Sequence, residues 1–539
     1  MQVILAVELL ALPVLVPVGT AEAGPPLFDN LGSLHHPIST TSEQAQRYFD
    51  QGLRWTYAFN HEEAVRSFEE AARLDPNAAM AYWGMALALG PNINAAMSEA
   101  DGRRAIDAIK QARARLEQVM PPERAYIEAL TKRYLSPKGA KRQALDRAYA
   151  DAMRALRKQY PDDPDAGTLF AEALMDLRPW DLWAADGKPK SGTEEIVATL
   201  EAVMASHPDH PGACHYYIHA VEASQDPGRA LACAEKLPGL MPGAGHLVHM
   251  PAHIYARVGR YHDSAERNQE AAQVDERYLS EQHPSGDYAD GYYSHNLHFL
   301  WSSLMMEGRS ADALKAAQAV TATITGEEVK KDPIKEQYLP VKLFTLIRFG
   351  RWDDLLKEPP PPKGLHLIEG VWRLGRGLAL AATGRLPGAE GERHALLVLT
   401  KQFRRTKNQE ERLERELLKI AERLLVGDVA ARRGKYDEAV KVLREGVKLE
   451  GGLPYSEPPL WPLPLRQYLG SVLLMAHRPG EAQAEYQADL KRFPENGWSL
   501  FGLAQSLKAQ EKEGEAAEAA GRFERAWTRA DVTLTASRY

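Results

Sequence analysis

Helical stretches with the same placement of small residues recur along this 539-residue chain, and this repetition constrains its fold more than any other feature. The stretch QGLRWTYAFNHEEAVRSFEEAARLDPN carries Gly52, Ala64, Phe68, Ala71 and Pro76. Its turn and second helix are repeated later in GRYHDSAERNQEAA, GRSADALKAAQAV, GKYDEAVKVLREGV and RPGEAQAEYQADLKRFP. Small residues let paired helices approach closely, and proline stops the second helix. The pattern therefore predicts a stack of helix pairs, each burying its apolar face on the next.

These stretches resemble the tetratricopeptide repeat, a two-helix unit of about 34 residues. With Ala64 at position 20, the first unit begins at Ala45, and Pro76 lies at position 32. Further units are predicted to begin near Pro211, Gly245, Ser294, Ile420, Leu463 and Gly497, and less clearly near Ala79, Pro164, Glu336 and Gly370. The resemblance implies an all-α, right-handed superhelical solenoid of about ten helix pairs with loop insertions. Residues 30 to 320 are also similar to a group of exported bacterial tetratricopeptide proteins without an assigned activity.

The first residues predict export. Residues 1–23 have an apolar run that ends in the tripeptide AEA, a small-x-small pattern that suits signal-peptide cleavage before Gly24. The signal is atypical, because no Lys or Arg precedes Arg47. The protein is thus expected in the periplasm or outside the cell. The other predicted regions are an extended N-terminal segment over 24–44, a repeat array with a histidine-lined groove over 45–325, and a scaffold array over 326–539.

Composition excludes several classes of protein. The chain has 66 basic and 73 acidic residues, a net charge of -7 and no strongly basic stretch, so nucleic acid is not an expected partner. No segment after the first approaches ~18 consecutive apolar residues, so no membrane span is expected. Two cysteines, Cys214 and Cys233, are too few for a disulfide scaffold. The two alternatives are one disulfide bridge and a pair of buried thiols. No nucleophilic triad, phosphate loop or dinucleotide fingerprint is present.

Histidines occupy the groove positions of three consecutive predicted units. In the tetratricopeptide family, positions 2, 5, 9 and 12 to 13 of the first helix point into the concave groove, which is one face of a 3.6-residue helix. The units numbered from Pro211, Gly245 and Ser294 place histidines at these positions. Seven imidazoles are therefore predicted to face one groove: His215, His219, His246, His249, His253, His295 and His298.

Such a cluster predicts a metal site. Protonated imidazoles would repel one another, and buried neutral ones would leave nitrogens unsatisfied unless something binds them. Histidines spaced i,i+3 or i,i+4 can share one ion, as in HYYIH over 215–219. Seven imidazoles exceed the needs of one tetrahedral ion, so one or two ions are expected, and a nitrogen-dominated set favours copper or zinc. Two ions with about three imidazoles each would resemble the dicopper sites that react with oxygen, but this analogy does not identify a substrate.

Carboxylates near the groove extend the predicted site. Glu172 and Asp176 lie at positions 9 and 13 of the unit from residue 164, and Glu222 lies at position 12 of the next one. They are candidate additional ligands, acceptors for imidazole N–H groups, or a general base. An N-terminal strand that folds back into the groove would bring His35 and His36 to the metal.

Two insertions are predicted to cover the groove. Trp180 and Trp183 lie in RPWDLWAADGKPKSG and are candidates for a lid over the site. Tyr292 and Tyr293 end a second insertion, SEQHPSGDYADGYY, and are candidates for substrate contact. Insertions in repeat proteins usually form loops on one face, which places both pairs of aromatic residues above the same groove.

Three functions are compatible with this pattern. The first is an exported metalloenzyme, an oxidoreductase or hydrolase, that acts on a small-molecule substrate at the histidine groove. The second is a non-catalytic scaffold whose groove binds a peptide or protein partner. The third is a periplasmic carrier of copper or zinc, for which the lack of Met-rich tracts counts against copper(I).

Overall fold

A computed structural model describes residues 24–135, 141–184, 187–283, 288–402 and 408–539. These residues form helices and loops without a β-strand, apart from an isolated bridge between Trp183 and Pro189. None of the helices described is long and apolar enough to cross a membrane. The predicted signal peptide, residues 1–23, lies outside the described residues.

The described part of the chain folds into twelve consecutive helix pairs, against about ten predicted. The first five pairs are α1 (Glu43–Tyr57) with α2 (His61–Leu74), α3 (Ala79–Ala88) with α4 (Glu99–Arg113), α5 (Pro121–Tyr134) with α6 (Arg142–Gln159), α7 (Pro164–Met175) with α8 (Thr193–Ser206), and α9 (Pro211–Val221) with α10 (Leu231–Leu240). The sixth pair has a divided first helix, α11 (Gly245–His249) and α12 (Pro251–Arg257), which packs on α13 (Tyr261–Gln282).

The remaining pairs continue the stack. They are α14 (Ser294–Glu307) with α15 (Ser310–Ala322), α17 (Val341–Arg348) with α18 (Trp352–Lys357), α19 (His366–Ala382) with α20 (Leu386–Lys401), α21 (Gln409–Arg432) with α22 (Tyr436–Glu450), α23 (Leu465–Met475) with α24 (Pro479–Arg492), and α25 (Gly497–Lys508) with α26 (Glu513–Ala526). A short helix, α16 (Gly326–Lys331), precedes α17. The predicted all-α solenoid of stacked helix pairs is confirmed.

The small residues of the repeat have the packing role that the pattern predicts. A Cβ atom at Gly52 on α1 would lie 2.7 Å from the ring of Phe68 on α2, so the two helices can approach only with glycine there. Predicted units begin where the structure begins a first helix at Pro211, Gly245 and Gly497. The α5–α6 pair was missed by the repeat pattern.

The N-terminal segment, residues 24–42, has no helix and contacts several of the first helix pairs. The Nδ1 atom of His36 lies 2.7 Å from a carboxylate oxygen of Asp165 on α7. The Ser39 backbone N–H donates to Glu123 on α5, and the Asn30 carbonyl accepts from Gly243 before α11. These contacts fix the segment against residues far apart in the sequence.

The last helix pairs pack back onto the middle of the chain. The indole N–H of Trp498 on α25 donates to the Met305 carbonyl on α14 at 3.1 Å. The Asp531 carboxylate accepts from the backbone N–H of Ser310 at 2.7 Å. Two apolar cores, one spanning residues 31 to 288 and the other residues 265 to 534, meet along α13, beside the predicted histidine groove.

Candidate metal centre

Three consecutive first helices carry the histidines into one buried region. Gly245 begins α11 against α13, where an added Cβ would lie 1.9 Å from a carboxylate oxygen of Asp275, so the close approach requires glycine. Pro251 begins α12, and Met250 before it keeps right-handed helical angles (φ −51°, ψ −34°). Proline has no N–H group to donate, so the helical hydrogen-bond ladder is interrupted between α11 and α12. This break lies between His249 and His253.

The first group of candidate ligands is His215, His219 and His246. One ring nitrogen of each lies within 4.8 Å of the others, and all three residues are buried. The Nε2 atoms of His215 and His246 are 3.1 Å apart. That separation is close to the ~3.3 Å expected between two nitrogen ligands of one tetrahedral zinc ion. The Phe59 ring, 4.5 Å from the His215 ring, gives this group an apolar cover.

The second group is His249, His253 and His295. The Nε2 atoms of His249 and His253 are 2.7 Å apart, and the His249 and His295 ring centroids are 4.8 Å apart. One ring nitrogen of each of the three residues lies within 4.8 Å of the others. Phe299 packs on the His253 ring at 4.9 Å. This group thus repeats the chemistry of the first one, farther along the groove.

Glu222 joins the two groups. One of its carboxylate oxygens accepts from Nδ1 of His219 at 2.8 Å, and the other accepts from Nδ1 of His253 at 2.5 Å. The carboxylate is completely buried at the C-terminal end of α9. Glu222 was expected from the sequence to be a ligand, an acceptor or a base, and its contacts are those of an acceptor for two imidazole N–H groups.

The hydrogen-bond acceptors fix the tautomers of four histidines. Besides the two bonds to Glu222, Nδ1 of His215 donates to the Tyr57 carbonyl at 2.7 Å, and Nδ1 of His249 donates to the Asn268 side-chain oxygen at 2.5 Å. Those oxygens can only accept, so the proton is on Nδ1, and in a neutral ring Nε2 then carries a lone pair. The Nε2 atom of His219 is buried without a hydrogen-bond partner. The lone pairs converge on the groove.

Burial sets the charge of the cluster. It lowers the pKa of His215, His246, His249 and His295 well below the usual range, and the neighbouring imidazoles lower it further. Burial also acts against a charged Glu222, but His253 and His219 outweigh it and lower the Glu222 pKa to about 2. Glu222 in turn raises the pKa of His253 against the effect of burial. The groove therefore holds mostly neutral imidazoles around one carboxylate.

A cleft connects this cluster with the protein surface. It is lined by His219, Glu222, Trp180, Trp183 and Tyr455 among others. The Trp180 ring is 43% exposed and lies edge-on to His219 at 5.4 Å, while the Trp183 indole N–H donates to the Ala220 carbonyl at 2.8 Å. The two tryptophans thus flank the entrance, where the sequence analysis placed a lid.

The second half of the chain contributes residues that the sequence analysis missed. The Tyr455 hydroxyl lies 3.5 Å from a Glu222 oxygen and donates to Glu457. Burial raises the pKa of Glu457 to about 7. Both residues lie in the loop between α22 and α23. No local pattern identifies them, because the loop reaches the site through the packing of distant helix pairs.

Several predicted site residues lie elsewhere. His298 stacks flat on Trp301 with ring centroids 5.2 Å apart and belongs to none of the ligand groups found among the described residues. Asp176 forms a 2.8 Å ion pair with buried Arg133, and Glu172 hydrogen-bonds to Asp176. Asp176 therefore balances the charge of a buried guanidinium, and neither carboxyl group belongs to the histidine groups.

The predicted tyrosines divide in the same way. The Tyr292 ring lies 4.6 Å from His246 and adjoins the site, whereas the Tyr293 hydroxyl donates to Glu276 at 3.0 Å, away from it. The N-terminal segment does fold back over groove positions, but His36 pairs with Asp165 instead of joining the cluster.

No protein-family model and no curated protein matches this chain. Solved structures with a similar course of the backbone include the Cut9–Hcn1 hetero-tetramer of the APC/C, at 13% identity, covering 89% of this chain and 76% of that one, with a TM-score of 0.32. Another is the human IFIT1 dimer with m7Gppp-AAAA, at 15% identity, 92% and 91% coverage and a TM-score of 0.31. Yeast Tom70 is similar at 10% identity, 91% coverage of each chain and a TM-score of 0.28.

Proposed function

We propose that this protein binds two transition-metal ions, copper or zinc, in the histidine cluster between α9, α11, α12 and α14. One observation carries the proposal: four buried imidazoles donate their Nδ1 proton to a fixed oxygen and point Nε2 into one space. Histidine ligands of protein metal sites have this arrangement, because the oxygen orients the ring and strengthens the lone pair. Packing alone does not require it four times in one groove.

The grouping favours two ions over one. His215, His219 and His246 would hold the first ion, and His249, His253 and His295 would hold the second. Glu222 hydrogen-bonds to one ligand of each and would keep the two ions in fixed relation. Three protein ligands leave one position of a tetrahedral ion open, which is typical of catalytic sites.

The chemistry of the ligands favours copper or zinc. All six candidate ligand atoms are imidazole nitrogens, which suit these ions better than magnesium or calcium, whose ligands are oxygens. Copper would supply oxidation chemistry, and zinc would supply an acidified water. The cleft beside Trp180 and Tyr455 would let a small molecule reach the centre, so we propose a metal-dependent oxidoreductase or hydrolase.

Elemental analysis tests the binding of metal directly. The protein would be purified without a metal-binding tag, stripped with a chelator, reloaded with copper or zinc and desalted. We expect about two equivalents bound, and fewer than about half an equivalent of either metal would refute the proposal. Replacement of His249 and His253 by Ala should remove one equivalent. His298→Ala on α14 is the matched control, because this buried histidine lies outside the ligand groups.

A non-catalytic scaffold remains the alternative function. The N-terminal segment already hydrogen-bonds to Gln46 and Asp165, which are groove positions of the front half. A partner peptide would therefore need to displace this segment or to bind elsewhere. A folded protein that retains no metal and catalyses no reaction would favour this alternative.

We also propose that the protein is exported. The support is the apolar run that ends before Gly24 in the sequence. N-terminal sequencing of the protein from a periplasmic or secreted fraction should begin at Gly24. Full-length protein found only in the cytoplasm would contradict export.

A further inference from the structure

Three sulfur atoms meet on the outer side of the helix that carries His215 and His219. Cys214 on α9 and Cys233 on α10 are 1% and 6% exposed, and their Sγ atoms are 2.8 Å apart. The Met204 sulfur on α8 lies 3.1 Å from Cys233 and 3.9 Å from Cys214. Non-bonded carbon atoms, which are smaller than sulfur, pack at about 3.5–4.0 Å. The two sulfur atoms are thus closer together than an ordinary van der Waals contact.

We propose that Cys214 and Cys233 form a disulfide bond that ties α10 to α9 directly behind the candidate metal centre. A disulfide bond is about 2.05 Å long, so bond formation needs the sulfurs to move less than about 1 Å closer. The two cysteines are 19 residues apart on adjacent helices of one pair, which lets a single bridge close that pair without involving any other part of the array.

The reaction requires an oxidant that carries a disulfide of its own, such as a thiol–disulfide oxidoreductase, and it takes place before α9 and α10 have packed together, because both thiols are buried in the folded protein. The Cys214 thiolate attacks one sulfur of that disulfide, and the other sulfur leaves as a thiolate. The Cys233 thiolate then displaces the oxidant from Cys214, so that two electrons and two protons pass from the cysteines to the oxidant, which leaves as a dithiol.

The neighbouring groups favour a disulfide over other uses of the thiols. A bridge closes a loop of about 20 residues, a length at which cross-linking stabilises a fold appreciably. Cys214 directly precedes His215 on α9, so the bridge would also restrain the helix that holds two candidate ligands. The Met204 thioether cannot join a disulfide, and it packs against the pair as an apolar neighbour.

Thiol counting by mass spectrometry tests this inference. Protein produced in an oxidising compartment would be denatured without reductant and treated with a maleimide. We expect no maleimide on either cysteine before reduction and two afterwards. Trypsin cleavage at Arg229 separates the two cysteines, so the unreduced digest should contain a pair of peptides joined through Cys214 and Cys233. Two maleimides bound without reduction would overturn the proposal.

Two further measurements keep the result interpretable. The oxidised protein should melt several degrees above the reduced one, and Cys233→Ser should abolish that difference. If the thiols are blocked by a soft metal ion held among the three sulfurs, a copper(I) chelator under non-reducing conditions will expose both cysteines, and the disulfide is refuted. The chelator and the thiol count leave the histidine site as a separate question, so this proposal and the proposed function can fail independently.

Discussion

Glu222 Oε2 lies 2.5 Å from Nδ1 of His253, on the neighbouring helix pair. The same carboxylate accepts from His219 on its own helix. One buried acid thereby orients one imidazole in each of the two candidate ligand groups. A change of this carboxylate would consequently alter the orientation of an imidazole in both groups.

Replacing Glu222 by Gln should weaken the binding of both metal ions. The glutamine amide has one acceptor oxygen, so its NH₂ group would face one of the two imidazole N–H donors and turn that ring. Loss of such an acceptor typically reduces metal affinity 10- to 100-fold. Competition with a chromophoric chelator measures this change. Glu307→Gln is the control, because Glu307 is also buried but pairs with Arg309 at the far end of α14. Equal affinities of the two variants would contradict the role of Glu222.

Replacing Trp180 by Ala should open the entrance without changing the ligands. Its ring contacts His219 at the mouth of the cleft, so its loss would speed the removal of bound metal by a bulky chelator several-fold. The equilibrium affinity should stay within about threefold of the wild-type value. Stopped-flow chelation compares the rates, with Trp372→Ala on α19 as a control distant in sequence. Unchanged release rates would show that metal leaves by another route.

His298 predicts a specific dependence of stability on pH. Burial lowers the pKa of His298 to about 3, whereas an unfolded histidine titrates near 6.5. The neutral ring therefore contributes stability above pH about 6.5. As the pH falls from there toward the pKa of the folded state, the free energy of unfolding decreases by about 1.4 kcal/mol per pH unit. Denaturant unfolding at pH 7 and pH 5 should show this loss in the wild type and a smaller one in His298→Phe. An identical pH dependence in both proteins would refute the prediction.

Replacing Gly245 by Ala should destabilise the protein and displace the candidate ligands. The added Cβ would collide with Asp275, whose two oxygens accept from Tyr288 and Asn296. Overpacking of this kind costs about 1–3 kcal/mol. Gly239→Ala on α10 is the matched control, since nothing lies within 4 Å of its added Cβ. Thermal unfolding should therefore separate the two variants, and equal melting temperatures would contradict this account of Gly245.

The helix pairs and most of the histidine cluster could be predicted from the sequence because both depend on local periodicity. A repeat fixes which face of each first helix points inward, so histidines on α9, α11 and α12 could be assigned to one place. His298 shows the limit of this reasoning. It is three residues from His295 and was assigned to the same face, yet its ring turns toward Trp301 on the same helix and Tyr338 on a neighbouring segment.

Contacts between different helix pairs, whether neighbouring or distant, could not be predicted. Arg133 on α5 belongs to a helix pair without the repeat pattern, so its ion pair with Asp176 had no signal in the sequence. Tyr455 approaches Glu222 across 233 residues, and its loop carries no periodicity. Such contacts depend on how the whole stack curves, which no short segment specifies.

The contact of Tyr455 with Glu222 also bears on the mechanics of the molecule. An ordinary solenoid stretches like a spring, because each repeat touches only its neighbours. Here the Trp498–Met305 bond and the Tyr455–Glu222 contact connect turns of the superhelix that are far apart along the chain. Tension applied to the two ends would have to break these two contacts before the helix pairs between them could separate. The array should therefore be stiff where the histidines lie. Its elasticity should be confined to the helix pairs outside these two contacts.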